Sequence, residues 1–235
     1  MTVDTVLFDF DDTFYPYQPC NEAGKAAARG AASERGYEFD AEAFEAFYQS
    51  GRRDVKRDLE RTAAGHHRLL YFKRAIERHT GSPQPADALA LSEAYWSGYL
   101  EEMTLFPGVE ETLATLREAG ITIAIVTNLT TQIQLRKIEH VGLSDYIDLF
   151  LTSEEVGQDK PASVMFTLAL ARVGSHPDEA LMVGDSVSAD IVGANALDIE
   201  TVLFNAGDID ESTLTGYRKP DHQIDAFADL TGLVR

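Results

Sequence analysis

Asp9-Phe10-Asp11 sets two carboxylates two residues apart at the end of an apolar run, Val3 to Phe10. Residues two apart on a strand share a face, so one carboxylate can attack while the other handles protons. Hydrolysis of a phosphate monoester has a very high uncatalysed barrier and needs a placed nucleophile with strong charge stabilisation. Asp9 can be that nucleophile, forming an aspartyl-phosphate. Asp11 can protonate the leaving alkoxide, then deprotonate the water that cleaves the intermediate. Taken alone, the pair also reads as an acidic turn after a strand.

A dianionic phosphate repels a carboxylate, so cations must sit between them. Asp185 and Asp190 follow a second apolar run, Ala180 to Val183, with Gly184 allowing close approach. Carboxylates from two strand ends make a hard oxygen site that suits Mg2+, which takes few protein oxygens and keeps several waters. The same residues also read as a Gly-Asp turn with an acid near a helix start. Thr127 ends the run Ile123 to Val126, and its hydroxyl and the Asn128 backbone N–H could hold a phosphate oxygen. In isolation a polar residue closing a strand is the simpler reading. Lys160-Pro161 stands at a predicted helix start, where the dipole favours anions, so a lysine there is misplaced unless it faces one.

The elements that must position these groups alternate. After Phe106-Pro107-Gly108, helices over 109–119, 132–140, 163–173 and 189–196 are predicted between strands over 121–126, 147–152, 180–183 and 201–204. Such alternation implies a parallel sheet, an α/β Rossmann-like three-layer core. Ligands in such sheets bind outside the carboxyl ends of the strands, where all four polar clusters fall. Between the first strand and this series, residues 21 to 103 read as four helices punctuated by Gly36, Gly51, Gly65 and Gly81-Ser82-Pro83. Tyr15-Pro16-Tyr17-Gln18-Pro19 reads as a linker into them, excluded from regular helix by its prolines. The expected division is a core of 1–15 with 106–235 and an all-helical cap of 16–105.

Charge supports two lobes. From Pro16 to Leu105, 12 Lys/Arg stand against 14 Asp/Glu, whereas the remainder holds 8 against 25. The formal net charge of −19 argues against a nucleic-acid binder that relies on backbone phosphates. It fits either a solubility or a high-salt adaptation. No apolar run reaches membrane-span length, and Val6-Leu7-Phe8 is too short for a signal peptide. A cytoplasmic protein without nucleic-acid or membrane partners, monomer or homodimer, is expected. One cysteine, Cys20, excludes an internal disulfide framework.

Together the clusters resemble the haloacid dehalogenase-like hydrolase superfamily. The family's first motif resembles Asp9-Phe10-Asp11-Asp12-Thr13-Phe14, and its second Ile123-Ala124-Ile125-Val126-Thr127-Asn128. Its third resembles Gly157-Gln158-Asp159-Lys160-Pro161, and its fourth Val183-Gly184-Asp185-Ser186 with Asp190 behind. The likeness spans essentially the whole chain, and the helical insertion is similar to the subclass with a helical cap. The resemblance implies a sheet of order 5-4-1-2-3 and a Mg2+ cofactor. It implies Asp9 as nucleophile and metal ligand, Asp11 as acid/base with its carbonyl on the metal, and Asp185 and Asp190 as further ligands. Thr127, Asn128 and Lys160 would hold the phosphoryl group, with backbone N–H groups near Asp11 and Asp12. Asp11 favours phosphoryl chemistry over carbon–halogen cleavage, since the named dehalogenases lack that carboxylate.

The expected activity is therefore hydrolysis of a small phosphate ester, as nucleotidase or sugar phosphatase. A phosphomutase similar to β-phosphoglucomutase and a catalytically idle binding protein are the alternatives. The cap should close over the site and choose the leaving group. Arg53, Arg57 and Arg61 are expected to share a helix face, either meeting an anionic part of the substrate or pairing with Asp54, Asp58 and Glu60. Tyr15 and Tyr17 could stack on a base or sugar, or pack at the hinge.

Overall fold

The apolar N-terminal run forms β1 (Thr5–Phe8), buried along its whole length, as a strand covered on both faces of a parallel sheet must be. The computed structural model describes residues 3–205, 207, 209 and 213–234. The chain divides into two compact units, Met1–Pro16 with Thr104–Arg235, and Tyr17–Met103.

The second unit is built from α1 (Tyr17–Glu34), α2 (Ala41–Asp58), α3 (Arg68–Thr80) and α4 (Pro85–Glu102). The expected linker is shorter than its prolines suggest, because α1 begins at Tyr17 and takes Pro19 into its first turn. Proline is tolerated there, since the first four helical N–H groups have no intrahelical acceptor. Asp40 caps α2 by accepting from the Ala43 N–H at 2.8 Å. Helix α2 lies so close to α3 that a Cβ on Gly51 would sit 2.0 Å from the Tyr71 carbonyl oxygen. Phe44, Phe47 and Tyr48 are buried here. The expected three-arginine face is not formed. Helix α2 ends at Asp58, and Arg61 lies beyond it in a left-handed conformation, φ 59°. Arg57 pairs with Asp54 and Asp58.

The first unit continues with α5 (Val109–Glu118), β2 (Thr122–Thr127), α6 (Thr131–His140), β3 (Leu149–Thr152), α7 (Ser153–Val156), α8 (Ser163–Val173), β4 (Ala180–Gly184), α9 (Val192–Asn195), β5 (Glu200–Phe204) and β6 (His222–Ile224). All strands pair parallel in the order β3-β2-β1-β4-β5-β6. The α/β class and the 5-4-1-2-3 order hold, with β6 added beyond β5. Its three residues, only one of them a large aliphatic, left no strand signature. The helix expected over 189–196 is a π-type turn, Val187–Ile191, followed by the short α9. Among the described residues no helix is long and apolar enough to cross a membrane.

Adjacent β1 residues serve opposite faces. Leu7 joins Ala124, Val126, Leu151, Phe166 and Met182 in one cluster. Phe8 stacks on Phe227 at 5.8 Å and meets Phe14 edge-on at 5.3 Å. Phe14 also anchors the loop after β1, with its N–H on the Phe10 carbonyl at 3.0 Å and its own carbonyl accepting from Phe106 at 2.8 Å. Each such side chain contributes about 2–3 kcal/mol by leaving water, so the loop carrying the paired aspartates rests on the core.

Candidate active site

β1 lies between β2 and β4, with Phe8 level with Ile125 and Val183. The segments leaving these strands therefore emerge side by side. The Asp9 N–H extends the ladder onto the Val183 carbonyl at 2.9 Å. The chain then turns, with Phe10 fully buried and Asp12 in a left-handed conformation at φ 65°. After β4, the Ser186 hydroxyl accepts from the Ala189 N–H at 3.2 Å, and the Ser186 N–H donates to Asp190 Oδ2 at 3.0 Å. Asp190 folds back against the strand end so tightly that a Cβ on Gly184 would sit 2.3 Å from its Oδ2. Only glycine leaves that space.

Lys160 enters from the segment before α8. Its side chain is buried, and Nζ lies 2.6 Å from Asp9 Oδ1 and 2.7 Å from Asp190 Oδ1. Asn128 fixes its backbone, accepting from the Lys160 N–H at 2.7 Å and donating to the Lys160 carbonyl at 3.2 Å. The lysine that looked misplaced at a helix start thus faces two anions. Burial alone would favour the neutral amine, but Asp190 and Asp9 outweigh it and push the lysine pKa up.

Asp9, Asp185 and Asp190 each offer an oxygen within 4.8 Å of the others. Three carboxylates around one ammonium leave negative charge uncompensated. Burial, with repulsion from Asp190 and Asp11, raises Asp9 from 3.8 to about 7 against the pull of Lys160. Burial, with repulsion from Asp9, Asp190 and Asp12, raises Asp185 to about 8. A further positive charge among hard oxygen donors would relieve this, so the donor set fits Mg2+.

Asp11 stands apart from that trio. Its side chain turns to α6, where Lys137 Nζ lies 2.5 Å from Oδ1 and Gln134 Nε2 lies 2.9 Å from Oδ2. The Tyr15 hydroxyl donates a third bond. Burial would raise the Asp11 pKa, but the charge and hydrogen bond of Lys137 and the bonds from Tyr15 and Gln134 prevail and hold it below its usual value. Gln134 also donates to Thr127 Oγ1 at 2.7 Å, linking the end of β2 to Asp11.

The sequence-derived residues thus form two linked groups. Asp9, Lys160, Asp185 and Asp190 converge, and Asn128 clamps Lys160 through its backbone. Asp11 and Thr127 meet through Gln134, while Asp12 shapes the turn. Gln134 and Lys137 escaped sequence reasoning. Their signal was present: they share the buried face of α6 with Ile133 and Ile138, and a lysine on the apolar face of a helix needs a buried partner. Tyr15 is not placed to stack on a ligand. It is fully buried, against Phe10, with its hydroxyl on Asp11.

A profile of haloacid dehalogenase-like hydrolases matches residues 3–198. A ribulose-1,5-bisphosphate 5-phosphatase from Halopiger xanaduensis is 61% identical over 234 residues, covering 97% of this chain and 98% of that protein. A glyceraldehyde 3-phosphate phosphatase from Methanopyrus kandleri is 31% identical, with 99% and 97% covered. In fold, the chain is similar to the crystal structure of a 2-haloacid dehalogenase from Pseudomonas syringae, with a TM-score of 0.77, 24% identity and 99% and 98% of the two chains covered.

Proposed function

The chain belongs to the haloacid dehalogenase-like hydrolase family, and from that premise we propose that it is a Mg2+-dependent phosphatase acting on a small phosphorylated sugar. Ribulose 1,5-bisphosphate is the first candidate, because a relative 61% identical over nearly the whole chain is named for its 5-phosphatase activity on that compound. The observation that carries the chemistry is the Lys160 ammonium, 2.6 Å from Asp9 and 2.7 Å from Asp190, with Asp185 completing the acidic trio.

Asp9 attacks phosphorus, the ester P–O bond breaks, and Asp11 gives the departing alkoxide its proton. Asp11, now a carboxylate, takes a proton from water as that water attacks the aspartyl-phosphate. The P–O bond to Asp9 breaks, and inorganic phosphate leaves. Lys160, the Thr127 hydroxyl and the Asn128 N–H hold the phosphoryl oxygens, the Asn128 side chain being taken up by the Lys160 backbone. Asp9, Asp185 and Asp190, with the Asp11 carbonyl, would hold Mg2+, which when bound offsets the charge of the phosphate against these carboxylates. Lys137 keeps resting Asp11 ionised, the state it needs as base, so Asp11 must take a proton from solvent or from a monoanionic substrate phosphate before it acts as acid. The proton it later takes from the attacking water replaces the one given to the alkoxide.

The test is release of inorganic phosphate from ribulose 1,5-bisphosphate and a panel of sugar phosphates and nucleotides, with Mg2+ or chelator, in the intact protein and in Asp9→Asn. Turnover that needs Mg2+ and vanishes in the variant supports the reading. Equal turnover by the two proteins refutes Asp9 as nucleophile, and a preference for nucleotides refutes the sugar phosphate.

A further inference from the structure

Among the described residues, no carboxylate pairs with the buried guanidinium of Arg68. It is 6% exposed. Its Nε donates to the Tyr95 hydroxyl at 3.2 Å, Nη1 to the His66 carbonyl at 2.6 Å and Nη2 to the Tyr17 hydroxyl at 2.8 Å. The rings of Tyr71, Tyr95 and Trp96 lie 5.3 to 5.5 Å from Cζ. Ring faces offset part of the charge, but among the described residues no acid pairs with it. That is unusual, since buried charges are normally paired, and this chain carries 39 Asp/Glu against 20 Lys/Arg.

The arginine fixes the polarity of its neighbours. A guanidinium only donates, so the Tyr17 and Tyr95 hydroxyls accept from it and turn their protons outward. Both reach Asn21 Oδ1, at 3.2 and 2.7 Å. The Asn21 amide is thereby held with its oxygen satisfied and its NH2 left to donate. Asn21, Tyr17, Tyr48, Gln49 and Arg52 line one polar recess of about 540 Å³ within the helical unit. Arg52 makes no ion pair within 4 Å among the described residues; it touches Gln49 at 3.5 Å and acts on Glu45 only through its longer-range charge. The two acids of this recess, Glu22 and Glu45, share Lys25 at 3.0 and 2.8 Å, and Gln49 also donates to Glu45 at 2.8 Å, so two carboxylates stand against the three cations Lys25, Arg52 and Arg68.

A buried amide with its NH2 left to donate, an exposed guanidinium that makes no ion pair within 4 Å among the described residues and a buried guanidinium behind them suit an anion. We propose that this recess binds a phosphate dianion, with Arg52 and the Asn21 amide as direct donors and Arg68 as the charge behind them. Only the identity of its carrier, a second phosphate on the substrate or a free phosphate, rests on the activity inferred above.

The test has two arms. In the first, arginine Nε–Hε signals of the full-length protein are followed by NMR during titration with inorganic sulfate. The signals of Arg52 and Arg68 move saturably, and Arg52→Gln weakens the response of Arg68 about tenfold, the loss of one charge-assisted bond. Asn21→Asp abolishes the response while raising Tm, because the new carboxylate supplies the counterion Arg68 lacks. A Tm rise also shows that this variant folds. Unmoved Arg52 and Arg68 signals overturn the site, as does a sulfate response that survives Asn21→Asp.

The second arm identifies the carrier, through KM for ribulose 1,5-bisphosphate and for p-nitrophenyl phosphate. If the substrate brings the anion, Arg52→Gln raises the ratio of the two KM values about tenfold, by the same loss. If the ratio holds while the sulfate response is lost, the occupant is a free phosphate. Absence of any turnover by the intact protein refutes the phosphatase reading alone, since the sulfate arm still reads the recess.

Discussion

Replacing Lys137 by Met tests how Asp11 is held. The ammonium is 1% exposed and lies 2.5 Å from an Asp11 side chain that is 24% exposed. Removing one partner of a fully buried pair costs about 3–5 kcal/mol, because the other charge is left unpaired. Asp11 keeps some contact with water and its bonds from Gln134 and Tyr15, and methionine fills much of the lysine's volume. The expected loss at pH 7 is therefore smaller, about 1–3 kcal/mol. Its pH dependence is the sharper expectation. Asp11 has a folded-state pKa below its unfolded value of 3.8, so its contribution is present above that value and is lost as pH falls through the folded pKa. Once Asp11 is protonated, Lys137 loses the attraction of that carboxylate while keeping its burial, a cost the variant does not carry. The difference between the two proteins should shrink below about pH 4 and then reverse in sign. Urea unfolding of both proteins from pH 7 to pH 3 measures this. A stability difference that does not vary with pH would show that Lys137 acts through packing alone and would refute the ion-pair argument.

Asp9→Asn should lower Mg2+-dependent phosphate release by about 10⁴-fold or more, the scale of removing a nucleophile; residual activity within tenfold of the intact enzyme would count against the mechanism. Asp9 and Asp185, raised to about 7 and about 8, are protonated in the metal-free protein at pH 6. Ionising them costs stability as pH rises from 3.8 through those values, and Mg2+ should restore it while displacing their protons. Calorimetry at pH 6.5 in two buffers of different ionisation heat should therefore record proton release on binding, with affinity rising toward pH 8; identical heats would contradict this. Gly184→Ala places a Cβ 2.3 Å from Asp190 Oδ2, so Asp190 must move and Mg2+ affinity should fall about tenfold, read by the same calorimetry. Gly51→Ala drives a Cβ to 2.0 Å from the Tyr71 carbonyl and should cost about 2–3 kcal/mol in thermal unfolding.

Much of the fold was legible because its signals are local. Apolar runs too short for helices, each closed by a polar cluster, place strands whatever their neighbours. The strand over 180–183 and the helix over 163–173 needed only their own periodicity and the glycine after each. Where a feature depends on packing, the pattern was silent or misleading. β6 is a strand because β5 offers it a free edge, not because His222-Gln223-Ile224 looks like one. Pro19 lies in α1 because a first-turn proline forfeits no intrahelical bond, a fact of position that composition cannot weigh.

The same division runs through the site. The order of residue types along the chain determined which groups could do phosphoryl chemistry, because a carboxylate at a strand end is visible one segment at a time. Their partnerships were decided only in three dimensions. Asn128 spends its side chain on a backbone 32 residues away, and Asp11 meets a lysine 126 residues later. Arg68 is buried with no acid paired to it among the described residues, although the chain carries 39 Asp/Glu. Ion pairing and burial depend on distance through space, which the linear order of residues does not encode.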